Sequence, residues 1–148
     1  MERPSGTKPF ATVGTVRCVA TDGWEPFASY DRYCTHCLVR QVKVNRAGRD
    51  IEEVEPYYHR YVVALLLGPV VDVVLGIELV LNEEARRDTD GEHTGHEGEL
   101  TAARRLIGSL DDTYGRFLDA FVCDALYANG PVMTQLDQHG YGGFLVLE

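Results

Sequence analysis

The chain has 148 residues, of which 45% are hydrophobic and 25% charged, and its formal net charge is −9. This length and composition predict one globular domain with a hydrophobic core. The acidity argues against a protein that binds nucleic acid through a large basic surface, although the acidic excess lies in residues 63–148. No secretory signal is visible in the first ten residues, so we expect a cytoplasmic protein whose four cysteines are thiols or metal ligands.

The N-terminal part of the chain predicts one buried strand within a folded core. Residues 1–12 are polar and proline-containing, and we expect a disordered segment followed by a core over residues 13–148. Val13 to Thr21 is rich in Val and Thr and stops at an Asp-Gly turn signal, as a buried strand would. Next come a predicted loop over 25–37, a half-exposed strand over 38–44 and a charged connection over 45–55.

The most apolar stretch, Tyr61 to Leu81, resembles a membrane span in hydropathy alone. It contains Gly68-Pro69 at its centre together with Asp72 and Glu78. Each carboxylate would cost about 2.5–3.5 kcal/mol at membrane depth. Two buried strands over 57–67 and 70–81, joined at the Gly-Pro turn, are therefore the better interpretation, and no membrane contact is expected.

Helical periodicity appears only in the second half of the chain. Residues 82–99 form a hydrophilic segment without apolar periodicity, whereas 100–110 place apolar residues at spacings of three and four, which predicts a helix. An apolar strand over 117–123 then stops at Asp124. The remaining predicted elements are a helix that begins near Pro131 and ends at Gly140, and a short strand over 143–147.

This order of elements predicts an α/β fold with a mixed sheet of the ribonuclease H-like kind, carrying an inserted Cys-x-x-Cys hairpin. In that fold the first and fourth core strands are neighbours, so Asp22 and Asp124 would meet at the carboxyl ends of two strands. Paired carboxylates there are typical Mg²⁺ or Mn²⁺ ligands for phosphodiester displacement. The alternative interpretation makes Asp22 a turn residue and Asp124 the cap of the helix-like segment that follows it.

Four stretches of the sequence resemble the DDE transposases of bacterial insertion sequences, in the broad Tn5-like group: "TDGWEPFASYDRYCTHCLVR", "YYHRYVVALLLGPVVDVVLGIEL", "EGELTAARRLIGSL" and "DALYANGPVM". The resemblance implies a ribonuclease H-like catalytic core in which Asp22 and Asp124 are the first two catalytic carboxylates. It also implies DNA partners, namely insertion-sequence ends and target DNA, and a homodimer. The third family carboxylate lies beyond the last strand, and Glu148 does not match it, so a truncated core with little activity of its own is expected.

A second set of residues points to a different metal. Cys34 and Cys37 form a Cys-x-x-Cys knuckle that can supply half of a tetrahedral zinc site, with His59 as the preferred third ligand and His36 as the other candidate. Two unpaired thiols remain an alternative. A thioredoxin-like redox pair is disfavoured because the motif precedes a strand pattern rather than a helix. Structural Zn²⁺ in a non-enzymatic interaction domain on the same fold is therefore the rival function.

Several other residues have a structural interpretation as well as a functional one. His93 and His96 could clip a metal, but their Gly-rich polar surroundings favour a solvated loop. The aromatic residues after Asp22 could stack on a DNA base or cover the edge of the sheet; they are Trp24, Phe27, Tyr30 and Tyr33. Cys18 and Cys123 lie in apolar runs and are expected to pack as small hydrophobes.

Overall fold

The computed structural model describes residues 10–45, 52–90, 95 and 97–146, which form a mixed α/β structure. The helices are α1 (Glu83–Asp90), α2 (Glu99–Tyr114) and α3 (Gly130–His139), and short 3-10 turns cover Gly115–Phe117 and Ala125–Tyr127. The strands are β1 (Cys18–Trp24), β2 (Ala28–Ser29), β3 (Leu38–Val39), β4 (Val42–Val44), β5 (Glu52–Val54), β6 (Tyr57–Tyr58), β7 (Tyr61–Leu66), β8 (Val73–Leu79), β9 (Ala120–Asp124) and β10 (Gly142–Val146).

The main sheet has five strands in the order β10-β9-β1-β7-β8. Strands β8, β7 and β1 pair antiparallel, whereas β1, β9 and β10 are parallel. The predicted α/β class with a mixed sheet is confirmed. The stretch with membrane-like hydropathy forms β7 and β8, and no helix in the described ranges is long and apolar enough to cross a membrane.

Helices α2 and α3 cover one face of this sheet. Alternate residues of β7, such as Val62 and Ala64, are buried in the same core as Leu106 and Ile107 of α2. The apolar face predicted for this helix is confirmed, and the helix is longer than predicted. A Cβ atom on Gly76 would lie 2.9 Å from Leu106 Cδ1, so a glycine at this position allows β8 to approach α2 closely.

The small strands form two further sheets, separate from the main one. Strand β6 lies between β2 and β3, and β4 pairs with β5 as a hairpin. Cys34 and Cys37 lie in the segment between β2 and β3. The predicted loop over 25–37 therefore contains a short strand, and the segment predicted as a strand over 38–44 is divided into β3 and β4.

The first predicted strand is wrong in its position. Gly14 adopts a positive φ of 60°, and Val13 and Val16 pair across a tight turn, so β1 begins only at Cys18. At its other end β1 continues past Asp22 to Trp24, because Gly23 and Trp24 pair with β7. Long-range pairing thus overrides the local Asp-Gly turn signal. Most of the predicted disordered segment, residues 1–9 of 1–12, lies outside the described residues.

The hydrophilic segment over 82–99 contains a helix that periodicity did not predict. The Asn82 side chain accepts a hydrogen bond from the Ala85 N–H at 2.9 Å, and Glu83 and Glu84 occupy the first turn of α1. Capping and first-turn acidic residues stabilise a helix without an apolar stripe. By contrast, α3 begins and ends as predicted, with Asn129 as its N-cap and Gly140 at its C-terminus.

Candidate functional site

Asp22 of β1 and Asp124 of β9 each lie one residue beyond the parallel ladder that joins these two adjacent strands, and β1 itself continues to Trp24. The register of β1 and β9 pairs Thr21 with Cys123, and one further step along each strand reaches the two aspartates. Both side chains are exposed, and each accepts one hydrogen bond from a backbone N–H, at 2.7 Å from Gly23 and at 2.9 Å from Leu126. Among the described residues, no hydrogen bond engages the second oxygen of either carboxylate. Asp124 caps the 3-10 turn as well, so the capping role and the metal-binding role are compatible.

The pKa of the buried Cys123 thiol reflects the negative charge at this edge of the sheet. Burial, followed by the negative charges of Asp124 and Asp22, raises the pKa of Cys123 from its ordinary value of 9.0 to about 11. Cys18 is also buried, so both cysteines pack as small hydrophobes, as predicted.

A third carboxylate, which sequence reasoning missed, lies beside the same strand end. Glu99 is the first residue of α2, and its carboxylate lies so close to Gly23 that any Cβ there would collide with it. It accepts a hydrogen bond of 3.0 Å from the hydroxyl of Tyr127, which is fully buried. Burial and the charge of Glu99 raise the pKa of Tyr127. In the sequence, Glu99 is only an acidic residue at a helix start, where the helix dipole favours an anion, and nothing local indicates its contact with β1.

Cys34, Cys37 and His59 form a compact group able to hold a metal ion such as zinc. The two Sγ atoms are 3.6 Å apart, and His59 Nε2 lies 3.4 Å from one and 3.5 Å from the other. Tetrahedral zinc with bonds of about 2.3 Å to S and about 2.0–2.1 Å to N requires separations of about 3.8 Å (S–S) and about 3.5 Å (S–N). The donor set and its spacing therefore fit zinc. Among the described residues, only this group brings three such donors within 4.8 Å of one another.

Backbone and side-chain contacts hold the knuckle in shape. The Cys34 N–H donates to Cys37 Sγ at 3.2 Å, and Asn82 Nδ2 donates to the carbonyls of Thr35, at 2.6 Å, and Cys37, at 3.3 Å. Burial raises the pKa of the Cys37 thiol. His59 Nδ1 is buried without a hydrogen-bond partner in the described part of the chain, so only Nε2 has a role visible in the geometry.

Ion pairs connect the knuckle to the carboxylate edge, the region around Asp22, Asp124 and Glu99. Arg40 binds Glu25 through two contacts of 2.8 Å, and Arg60, the residue after His59, lies 3.6 Å from Glu25 and 3.8 Å from Glu99. These side chains are partly exposed, so each pair contributes little stability by itself. Their arrangement nevertheless places the segment that carries His59 beside the end of β1.

The other residues considered in the sequence contribute differently. His36 is exposed and contacts Thr35 Oγ1 at 3.2 Å, outside the three-donor group, and His93 and His96 lie outside the described residues. Two of the aromatic rings after Asp22 lie beside strand residues, Trp24 at 6.0 Å from Tyr61 and Tyr33 at 5.1 Å from Tyr57 between ring centroids. The whole set is 52–74% exposed: Trp24, Phe27, Tyr30 and Tyr33.

No protein-family model, curated protein or solved structure matches this chain. The DDE transposase resemblance therefore stays a prediction from the sequence.

Proposed function

We propose that this chain is a DDE-type transposase core on a ribonuclease H-like fold, built for metal-dependent cleavage and transfer of DNA strands. The observation that carries the proposal is the position of Asp22 and Asp124 directly after the last paired residues, Thr21 and Cys123, of the adjacent parallel strands β1 and β9. The sheet order adds support, because the first and fourth strands of the main sheet, β1 and β9, lie side by side. Ligands and catalytic groups of open α/β sheets collect at this edge.

Asp22 and Asp124 fit Mg²⁺ or Mn²⁺ by donor chemistry. Each offers a carboxylate oxygen that no described hydrogen bond engages, and both are exposed to solvent, where hydrated Mg²⁺ is usually bound by one or two carboxylates. When bound, such ions activate an attacking oxygen and stabilise the leaving oxygen of a phosphodiester. The strands hold the two carboxylates at the surface, outside the apolar core, where a hydrated ion can reach them. Glu99 adds a third negative charge behind the strand end.

The test is the metal and strand-cleavage behaviour of the Asp22→Asn and Asp124→Asn variants. We expect both to lose Mn²⁺ binding, measured by calorimetry. The parent, as a truncated core, should nick supercoiled DNA only weakly with Mg²⁺, and any such activity should fall to the background rate in both variants. Asp112→Asn is the matched control, because Asp112 is an exposed aspartate on the far part of α2. Mn²⁺ binding by the Asp22 and Asp124 variants equal to that of the control would refute the assignment.

The three-donor group favours a second function from another class. We propose that Cys34, Cys37 and His59 hold one structural zinc ion that stabilises the sheet β2-β6-β3, in an interaction domain that need not be an enzyme. The ligands lie between β2 and β3 and directly after β6, so a bound ion would link all three short strands. Strands of two residues have little stability by themselves.

Metal analysis of the purified chain tests the zinc proposal independently of DNA cleavage. We expect one equivalent of zinc, lost in Cys34→Ser, Cys37→Ser and His59→Ala, and retained in His36→Ala. Chelation should lower the melting temperature of the parent and leave that of Cys34→Ser unchanged. An absence of bound zinc, combined with equal stability of the parent and the cysteine variants, would contradict it.

A further inference from the structure

The three metal donors define one face of a coordination tetrahedron. The donor–donor separations of 3.4–3.6 Å are nearly equal, so an ion bound to them has one remaining tetrahedral position. In the described ranges no fourth Cys, His, Asp or Glu lies within 4.8 Å of all three donors. His36, the nearest histidine in sequence, contacts Thr35 instead. The described chain thus supplies three ligands, the number typical of zinc sites that accept an external ligand.

The three ligands also share one cavity. Cys34, Cys37 and His59 all line an open cavity of about 500 Å³, a volume within the range of small-molecule sites. Tyr33 and Tyr57 form part of its wall, with ring centroids 5.1 Å apart. An external ligand that reached the ion from this cavity would therefore approach it past all three ligand residues.

The chemistry of the cavity selects a class of ligand. Two thiolates neutralise the charge of Zn²⁺, so a neutral nitrogen donor completes the site without adding charge, and imidazole is a preferred zinc ligand. The aromatic side chains in the cavity wall favour a donor that carries an aromatic ring. Aromatic rings in contact gain energy beyond that from the burial of apolar surface. Phe27, which is 70% exposed, also lines the cavity and adds to its aromatic surface.

We propose that the metal site of Cys34, Cys37 and His59 is an open one, and that it binds an imidazole-type donor with an aromatic substituent from outside the chain. The inference rests on the zinc proposal above and is independent of the transposase proposal.

Cobalt substitution tests this directly in the full chain. Co²⁺ bound to thiolates absorbs visibly, so its spectrum reports any change in the ligands. We expect imidazole to shift the spectrum with saturation at one equivalent, and 4-phenylimidazole to bind about tenfold more tightly, which corresponds to about 1.4 kcal/mol. Tyr33→Ala should reduce that preference at least threefold. Tyr30→Ala is the matched control, because Tyr30 is an exposed tyrosine of the same loop that does not line the cavity.

Three results would overturn the inference while leaving the metal site itself intact. The first is a cobalt spectrum that neither imidazole changes. The second is a spectrum altered by His36→Ala, or by joint replacement of His93 and His96, before any imidazole is added, because the chain would then supply its own fourth ligand. The third is a metal-dependent dimer in sedimentation experiments that is lost on addition of imidazole. Failure to bind cobalt at all would instead refute the zinc proposal together with this inference.

Discussion

Replacing Gly23 by alanine tests whether the Glu99 carboxylate is held against the end of β1. The new Cβ would collide with that carboxylate, which is 14% exposed and is fixed by Tyr127 at 3.0 Å and Arg60 at 3.8 Å. If the carboxylate moves away, the buried Tyr127 hydroxyl loses its acceptor. A buried donor left without a partner costs about 1–3 kcal/mol, so we expect Gly23→Ala to lower the free energy of unfolding by about 2 kcal/mol in urea denaturation at pH 7.

A double-mutant cycle with Tyr127→Phe separates this effect from the general cost of alanine in a strand. Phenylalanine has no hydroxyl to leave unpaired, so Gly23→Ala should cost at least about 1 kcal/mol less in that background. Gly108→Ala is the control for a glycine replacement with space, since the nearest atom to its Cβ would be 3.8 Å away. Additivity of the two substitutions within about 0.5 kcal/mol would refute the reasoning.

Four further predictions concern three residues of the core and its edges. Asp119→Ala removes the carboxylate that accepts hydrogen bonds from the backbone N–H of Arg17, at 2.9 Å, and from its Nε, at 3.0 Å. Because the Arg17 side chain is only 3% exposed, its charge would be left buried without this partner. Chemical denaturation should therefore show that the free energy of unfolding falls by about 3–5 kcal/mol. Gly76→Ala should lower the free energy of unfolding by about 1–3 kcal/mol, because the new methyl group would overpack against Leu106. A melting temperature equal to that of the parent would contradict this and would mean that α2 can shift to make room. Because the pKa of Cys123 is about 11, only about 0.1% of its thiol is ionised at pH 8, and iodoacetamide followed by mass spectrometry should leave it unlabelled in the folded chain. Because the pKa of Cys123 is raised from 9.0 to about 11 in the folded state, the folded chain binds more protons than the unfolded chain between pH 9 and 11. The free energy of unfolding should therefore fall as the pH rises through this interval, and it should fall less in Cys123→Ala.

The zinc-ligand prediction depended on two kinds of information. The spacing of Cys34 and Cys37 is local, because a tight turn brings donors three residues apart together, and the structure has the Cys37 N–H bonded to the Cys34 carbonyl at 3.2 Å. His59 is far along the chain, and only the pairing of β6 with β2 and β3 brings its ring to the sulfur atoms. The sequence could propose this ligand through an expected hairpin, but it could not establish the distances.

The carboxylate edge shows the same division. Asp22 and Asp124 could be predicted as neighbours because each follows an apolar run and the order of elements suggested adjacent strands. Glu99 could not, because its neighbours Gly23 and Tyr127 come from two other elements, and no local pattern links the three. The first strand was displaced for a related reason: the pairing of Gly23 and Trp24 with β7 outweighs the turn preference of Asp-Gly.

By itself the sequence determined the period of each long element, and with it the α/β class, the apolar face of α2 and the ends of α3. These depend on neighbours within a few residues, where apolar spacing and capping groups act directly. Tertiary structure decided where β1 begins and ends, that a polar segment forms α1, and which charged groups meet at the strand ends. Those outcomes depend on pairing and packing between distant segments, whose energies no local pattern contains.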